Sequence, residues 1–407
     1  MDIKPMYRCA VGIDVHLAVI TVCVIVQSDA EEPEVHRHEF GSFRRDRIAM
    51  AKWIASFKPD VVVMESTGIY WKSPYAFLER EGIRPLVVNA QHVKKVPGRK
   101  TDVNDAEWLA MLARPGLLRG SFIPPEELRN LRQISRRHHS LTGDLAAEKN
   151  RLVRVLGDAG IRITVVVSDP HGVAATAMID CLLDGGTPEQ ALKFAGRLKA
   201  PREELLAALE GELSAEHRYV AQSIRAHIQF LRGQLAELEN QLYAGLQAHE
   251  GAMILLMTIP GIDKLAAAKL LVELGEDMKE FGSADRLSKW CGVCPGNNES
   301  AGKRHSGKTA KANRYVRSTL CEISHAAART TSQFKGLFQD LMARRGMKRA
   351  IIAIAHKIVR IIFVLLSRKI PYQDSTVDYQ ALAVKKRAPR WLNQLRKYGL
   401  MPATARP

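Results

Sequence analysis

The sequence predicts an α/β domain at the N-terminus, a central helical region packed as a coiled coil, and a mainly α-helical C-terminal region. Three observations carry that prediction. Strand-like and helix-like patterns alternate through the first 115 residues, heptad seams occupy the middle, and short helices with Gly-rich turns follow residue 254.

Residues 7–14 and 17–26 are apolar and rich in β-branched side chains, so they read as consecutive strands, with 34–40 a third. Helical spacing marks 45–57, and 61–64 is a short buried strand. A helix over 71–81, a strand over 85–89 and a helix over 101–114 complete the series. Three strands followed by β-α-β-α argue for a mixed sheet covered by helices, and an RNase H-like arrangement has that order of elements. In the middle, Leu131, Ile134, His138, Leu141, Leu145, Glu148, Leu152 and Val155 recur in steps of three and four. Ile224, Ile228, Leu231, Leu235, Leu238 and Leu242 do so more cleanly. Both predict long helices packing as a coiled coil, within or between chains. Asp-Pro, Gly-Gly and Thr-Pro signals make 158–202 an irregular or short-helical insert. The expected division is 1–120, 121–250, 251–383 and a basic tail over 384–407.

Of 407 residues, 60 are Lys or Arg and 43 are Asp or Glu, a formal charge of +17. The excess is local: 301–407 holds 23 basic and 4 acidic side chains, and the remainder is near neutral. Such a module attracts a polyanion, and 301–368 is too apolar for a disordered tail, so nucleic acid is the expected partner. The run 17–26 lacks a basic leader and a cleavage site, and His356, Lys357 and Arg360 interrupt the apolar run 351–366. Neither predicts a signal peptide or a simple membrane span. Six cysteines make no disulfide framework at this length, and the expectation is a cytoplasmic protein.

The strongest chemical constellation is acidic. Asp14 ends the first strand in Val-Gly-Ile-Asp-Val-His, and Glu65 ends the fourth in Val-Val-Met-Glu-Ser-Thr-Gly. In parallel neighbouring strands both carboxylates emerge at the C-terminal edge, where open α/β sheets place their sites. Lys-Thr-Asp-Val-Asn-Asp-Ala then puts Asp102 and Asp105 three apart at a helix start. Four such oxygen donors repel unless a hard cation neutralises them, which suits Mg2+ or Mn2+ clamping a phosphodiester. The structural alternative makes Asp102 an N-cap, Asp105 a first-turn dipole partner, and the other two ordinary strand-end residues. Lys94, Lys95, Arg99 and Lys100 lie just upstream, where they can hold a phosphate backbone.

Two basic segments follow. Ile259-Pro260-Gly261-Ile262 with Lys264 has the form of a helix-hairpin-helix turn offering backbone N–H groups to phosphate, although a plain turn between packed helices explains it nearly as well. Between Gly296 and Lys308, Ser300 and Ser306 lie among small residues with Lys303 and Arg304, and Lys311, Arg314 and Arg317 begin a basic helix. A serine attacking phosphorus needs such charge; a flexible basic loop is the plainer reading. Gly302-Lys303-Arg304-His305-Ser306-Gly307-Lys308-Thr309 spells Gly-x4-Gly-Lys-Thr, yet it is read as a basic loop and not as a P-loop. Trp290-Cys291-Gly292-Val293-Cys294-Pro295 lacks the βαβ context of a redox motif, so its thiols are expected to be buried.

Together these segments resemble the DEDD-type insertion-sequence transposases, the serine recombinases guided by a bridge RNA. The likeness rests on Gly-Ile-Asp at 12–14, Met-Glu-Ser-Thr-Gly-x-Tyr-Trp at 64–71 and Lys-Thr-Asp-x-x-Asp-Ala at 100–106. Ile-Pro-Gly-Ile at 259–262, Glu-Ser-Ala-Gly-Lys-Arg at 299–304 and Asn-Arg-Tyr-Val-Arg at 313–317 extend it. The resemblance implies an RNase H-like domain holding Asp14, Glu65, Asp102 and Asp105 around divalent metal. It implies a coiled coil and a transposase domain whose nucleophile matches Ser300 best, with Ser306 still open. Donor and target DNA, a structured guide RNA and a homo-oligomer from dimer to tetramer are the partners it implies. The same carboxylates acting with water would make a junction-resolving nuclease instead, and a nucleic-acid-binding protein with a dead site is the third class.

Overall fold

Continuous apolar runs at 9–15, 19–26 and 61–65 require cover on both faces of a sheet, and the computed structural model supplies it. The structure describes residues 5–27, 32–66, 68–89, 93, 104–296, 298–300, 302–306, 309, 312–374 and 379–400. The chain divides into two units, Met1–Glu126 and Glu127–Pro407.

In the first unit, β1 (Cys9–Val15), β2 (Val19–Val26), β3 (Glu34–Gly41), β4 (Val61–Glu65) and β5 (Leu86–Val88) form a mixed sheet in the order β3-β2-β1-β4-β5. β1–β2 and β2–β3 are antiparallel, and β1–β4 and β4–β5 are parallel. Helices α1 (Arg44–Ser56) and α2 (Lys72–Arg80) cover one face and α3 (Asp105–Ala113) the other. Strand alternation assigns each residue. Val11, Ile13, Val15, Val62 and Met64 join Met50, Ile54, Tyr75 and Leu78 in one core. Ala10, Val61 and Val63 join Trp108, Leu109 and Leu112 in the other. Gly12, Asp14 and Glu65 have the parity of that second face.

The two heptad seams become α4 (Glu126–Asp158) and α9 (Ala215–Gly245). They pair antiparallel and within the chain: His138 Nε2 lies 2.9 Å from Glu239 Oε1, Glu148 Oε1 3.0 Å from His227 Nδ1, and Asp158 Oδ2 3.1 Å from His217 Nε2. The polar interruptions of the first seam are thus buried groups with partners on the second. The connecting segment is short-helical, with α5 (Ile163–Val166), α6 (Val173–Leu183), α7 (Pro188–Ala191) and α8 (Arg202–Leu209). Ile163, Ile179, Leu182, Leu205 and Leu209 share a core with Leu152, Leu156 and Ile228 of the long pair.

The remaining elements are α10 (Glu250–Met257), α11 (Lys264–Leu274), α12 (Ala284–Trp290), a hairpin of β6 (Asn298–Ser300) and β7 (Lys303–Ser306), α13 (Arg314–Ala327), α14 (Gln333–Arg345), α15 (Met347–Arg368) and α16 (Tyr379–Lys397). Among the described residues α15 is the one helix long and apolar enough to cross a membrane. It buries Ile351, Ile354, Ile358, Val359 and Ile362 and is a core helix. Two of its cations meet protein groups: Lys357 donates to Gln333, and Arg360 pairs with Asp285. Where the sequence predicts a basic tail from 384, the backbone is helical through Lys397, and Arg387 pairs with Asp340 on α14. All six cysteines are free; Cys291 is buried and burial pushes its thiol pKa up.

Candidate active site

The carboxylate edge follows from parity and register. Gly12 stands opposite Val63 and Ile13 opposite Met64, so Asp14 and Glu65 are the next neighbours along the parallel β1–β4 pair. Both end their strands at the same edge, on the face that α3 covers. Gly12 is what lets α3 come close: a Cβ there would lie 2.6 Å from the Ala110 nitrogen and 3.0 Å from the Ala106 carbonyl carbon, with the Ala106 oxygen nearer still. Ala106 and Ala110 are fully buried against Cys23 and Ile25. The close seating brings the N-terminus of α3 to the carboxylate edge.

Asn104 caps that helix, its side chain accepting the Glu107 N–H at 2.7 Å. The capping role considered for Asp102 therefore belongs to Asn104, and Asp105 is the first residue of the helix. Arg37 on β3 clasps Glu107 through Nε at 2.9 Å and Nη2 at 2.8 Å, tying the sheet to the first turn. A negative charge at Asp105 is favoured by the helix dipole. Burial raises the Asp14 carboxyl above its ordinary value; His16 opposes this, and the charges of Asp105 and Glu65 add to it. Asp14 therefore feels both other carboxylates. His16 Nε2 lies 2.9 Å from Asp14 Oδ2.

Asp102, Lys94, Lys95, Arg99, Lys100, Lys308 and Lys311 lie outside the described residues. Among the described residues, no three His, Cys, Asp or Glu side chains stand close enough to hold a metal ion. The donor type at the edge, carboxylate oxygen, is the one that hard divalent cations take.

The serine segment forms the small hairpin, with Ser300 opposite Lys303 and Glu299 opposite Arg304 at its turn. Arg314 and Arg317 occupy the first turn of α13, capped by Asn313. Gly261 has φ +89°, and a Cβ there would lie 2.5 Å from the Ala327 nitrogen and 2.8 Å from the Ile323 oxygen. Close packing on α13 thus accounts for that glycine. Lys264 Nζ rests 4.3 Å from the Tyr243 ring centre.

Sequence reasoning passed over several residues at the carboxylate edge. Leu17, Ile69 and Tyr70 are exposed apolar side chains just beyond the C-terminal ends of β1 and β4, with Ile69 69% exposed. His16 stands in the quoted Val-Gly-Ile-Asp-Val-His segment with no role assigned to it, and of the Arg37–Glu107 clasp only Glu107, two residues after Asp105, lay near an acidic motif.

Comparison with known proteins matches both halves of this arrangement. Residues 11–160 match a DEDD family of the IS110 type described as a transposase, and 253–339 match one described as "Transposase IS116/IS110/IS902 family". A probable family 20 transposase of Pseudomonas aeruginosa is 26% identical over 83% of this chain and 94% of that protein. The transposase of insertion sequence element IS1111A from Coxiella burnetii is 26% identical over 81% of this chain and 84% of its own. An uncharacterized 42 kDa protein of insertion element IS900 from Mycobacterium paratuberculosis is 25% identical over 73% and 82%. The matched segments hold the carboxylate edge and the serine hairpin in the expected order, and the chain belongs to the IS110/IS116/IS902 family of transposases, enzymes that act on DNA.

Proposed function

We propose that this transposase moves its own insertion element by serine-mediated strand exchange, with an RNA supplying the choice of target. The observation that carries the reading is the sharing of one sheet edge by Asp14 and Glu65, with Asp105 delivered to it by the close seating of α3 on Gly12. The strand order and parity support an RNase H-like assignment for this unit. Asp14, Glu65, Asp102 and Asp105 would hold Mg2+ or Mn2+, which polarises a scissile phosphate and stabilises the oxygen that leaves.

In the serine step, the Ser300 Oγ–P bond forms as the strand's own P–O bond breaks, and the serine proton ends on the departing hydroxyl. Lys303, Arg304, Arg314 and Arg317 neutralise the charge that develops on the phosphate. A hydroxyl from the exchanging strand reverses the step and releases the serine. The number of phosphodiester-type bonds is conserved, so no nucleotide hydrolysis is required. The excess of positive charge in 301–407 supports a polyanionic partner. Strand exchange between two duplexes requires at least a dimer, and because the two heptad seams are already paired within the chain, that dimer would form through other surfaces.

The carboxylate half is tested with Glu65→Gln in the full-length chain, together with whatever RNA copurifies. Cleavage of a labelled duplex carrying the element's ends, in defined Mg2+, is expected to fall at least about 100-fold with melting unchanged, since one anionic ligand is lost without a change of shape. Cleavage at the wild-type rate refutes the metal site.

A further inference from the structure

Glu273 on α11 is the most deeply buried carboxylate among the described residues, at 1% exposed. A charge in such a place needs partners, and it has three. Arg136 of α4 donates Nε to Oε1 at 2.8 Å and Nη2 to Oε2 at 3.0 Å. Arg132 of the same helix has Nε 3.1 Å from Oε2 and donates to the Val272 carbonyl at 3.0 Å. Asn313 donates Nδ2–H to Oε2 at 2.8 Å.

Asn313 is the link to the chemistry. Its other side-chain end, Oδ1, accepts the Tyr315 N–H at 3.0 Å and the Val316 N–H at 3.3 Å, which caps α13. The Arg136 guanidinium lies over the Tyr315 ring at 4.6 Å, and the His139 ring meets Tyr315 edge-on at 5.4 Å. The start of α13 is therefore fastened to α4 and α11 by directional bonds rather than by apolar contact alone. Arg314 and Arg317 leave that same first turn, and β7 ends only a few residues before it. An apolar residue at 273 would hold the helices together as well; it would not fix the angle and register at which α13 begins.

We infer that Glu273 is a positioning residue, which through Asn313 sets where α13 starts and so where Arg314, Arg317 and the serine hairpin meet a DNA phosphate. The inference rests on the serine reading proposed above. It predicts an effect on the rate of strand cleavage that is separate from folding and from DNA affinity, because misplacement of about 1 Å in a reacting geometry costs about 100-fold.

Asn313→Ser is the informative variant: serine still caps the helix, but it has no amide to donate to Glu273. The test uses the full chain with its copurified RNA and a labelled duplex carrying the element's ends. Melting and DNA affinity are expected to stay near wild type, with affinity within about threefold, while single-turnover cleavage at saturating DNA slows at least about tenfold. Glu273→Gln is expected to act in the same direction with a lower melting temperature, since it leaves two partly buried guanidiniums short of charge. Wild-type cleavage by Asn313→Ser overturns the inference, and so does a loss that merely tracks lowered melting or lost binding. If the wild type cuts without leaving protein covalently on DNA, the serine reading fails by itself, and the variant's cleavage rate still decides whether Glu273 positions α13.

Discussion

Replacing Gly12 by alanine tests how the carboxylate edge is assembled. The added Cβ would stand 2.6 Å from the Ala110 nitrogen and closer to the Ala106 oxygen. Ordinary contacts of this kind lie at about 3.5 Å, so α3 must retreat by roughly 1 Å or β1 must buckle. Both obstructing atoms are backbone within a hydrogen-bonded helix, so no side-chain rotation relieves the clash. Overpacking of this sort costs about 1–3 kcal/mol, and for a close-packed helix the upper end is expected. Asp105 would move away from Asp14 with the helix, and strand cleavage is expected to fall about 100-fold, more than the loss of stability explains. Urea unfolding gives the first quantity and single-turnover cleavage in Mg2+ the second. A variant with wild-type midpoint and wild-type cleavage would show that α3 does not sit on β1 as described, and the geometric case for the site would fall.

Gly143 in α4 and Gly233 in α9 lie in helix interiors, and a methyl added at either would meet nothing within 4 Å, so alanine there should stabilise the chain by about 0.5–1 kcal/mol. A loss of stability at Gly143 would argue against an uninterrupted α4. Burial holds the His138, His171 and His356 imidazoles below their ordinary value. As the pH falls below about 6.5 the unfolded chain takes up protons that the fold refuses, so stability falls with it. Urea midpoints are expected to drop from pH 7 toward 5.5, and His138→Gln to flatten the drop; an equal slope in both proteins would remove His138 from the account.

Much of the carboxylate edge was legible in the sequence because strand parity is a local rule. Two residues per step place Asp14 with Ala10 and Gly12, and Glu65 with Val61 and Val63, once the strands themselves are recognised. What parity cannot give is the helix that approaches. Gly12 looks like any strand glycine until Ala106 and Ala110, small residues four apart, are known to sit above it. The seams show the same limit. His138 and Glu148 weaken the first heptad on paper, and only the antiparallel pairing reveals that Glu239 and His227 answer them. Composition marked 301–407 as a nucleic-acid face, yet Arg360 and Arg387 are engaged by Asp285 and Asp340. Counting charge cannot separate cations that face solvent from those that hold helices together. Glu273 was invisible for a related reason: in Leu-Val-Glu-Leu it has the look of an exposed helix position, and its three partners come from 40 to 141 residues away.

The central claim is that Ser300 becomes bonded to DNA, and the adduct itself is the direct measurement. The full-length chain with its copurified RNA is incubated with end-labelled duplex carrying the element's ends, denatured, and resolved for protein-linked label. The account predicts a denaturation-resistant species that protease removes, present in the wild type and absent in Ser300→Ala, which should still bind DNA because only one oxygen is lost. An adduct kept by Ser300→Ala and lost by Ser306→Ala would move the nucleophile to the other strand of the hairpin. Cleaved ends with no adduct in the wild type would contradict the account and leave a nuclease that uses the carboxylate edge with water.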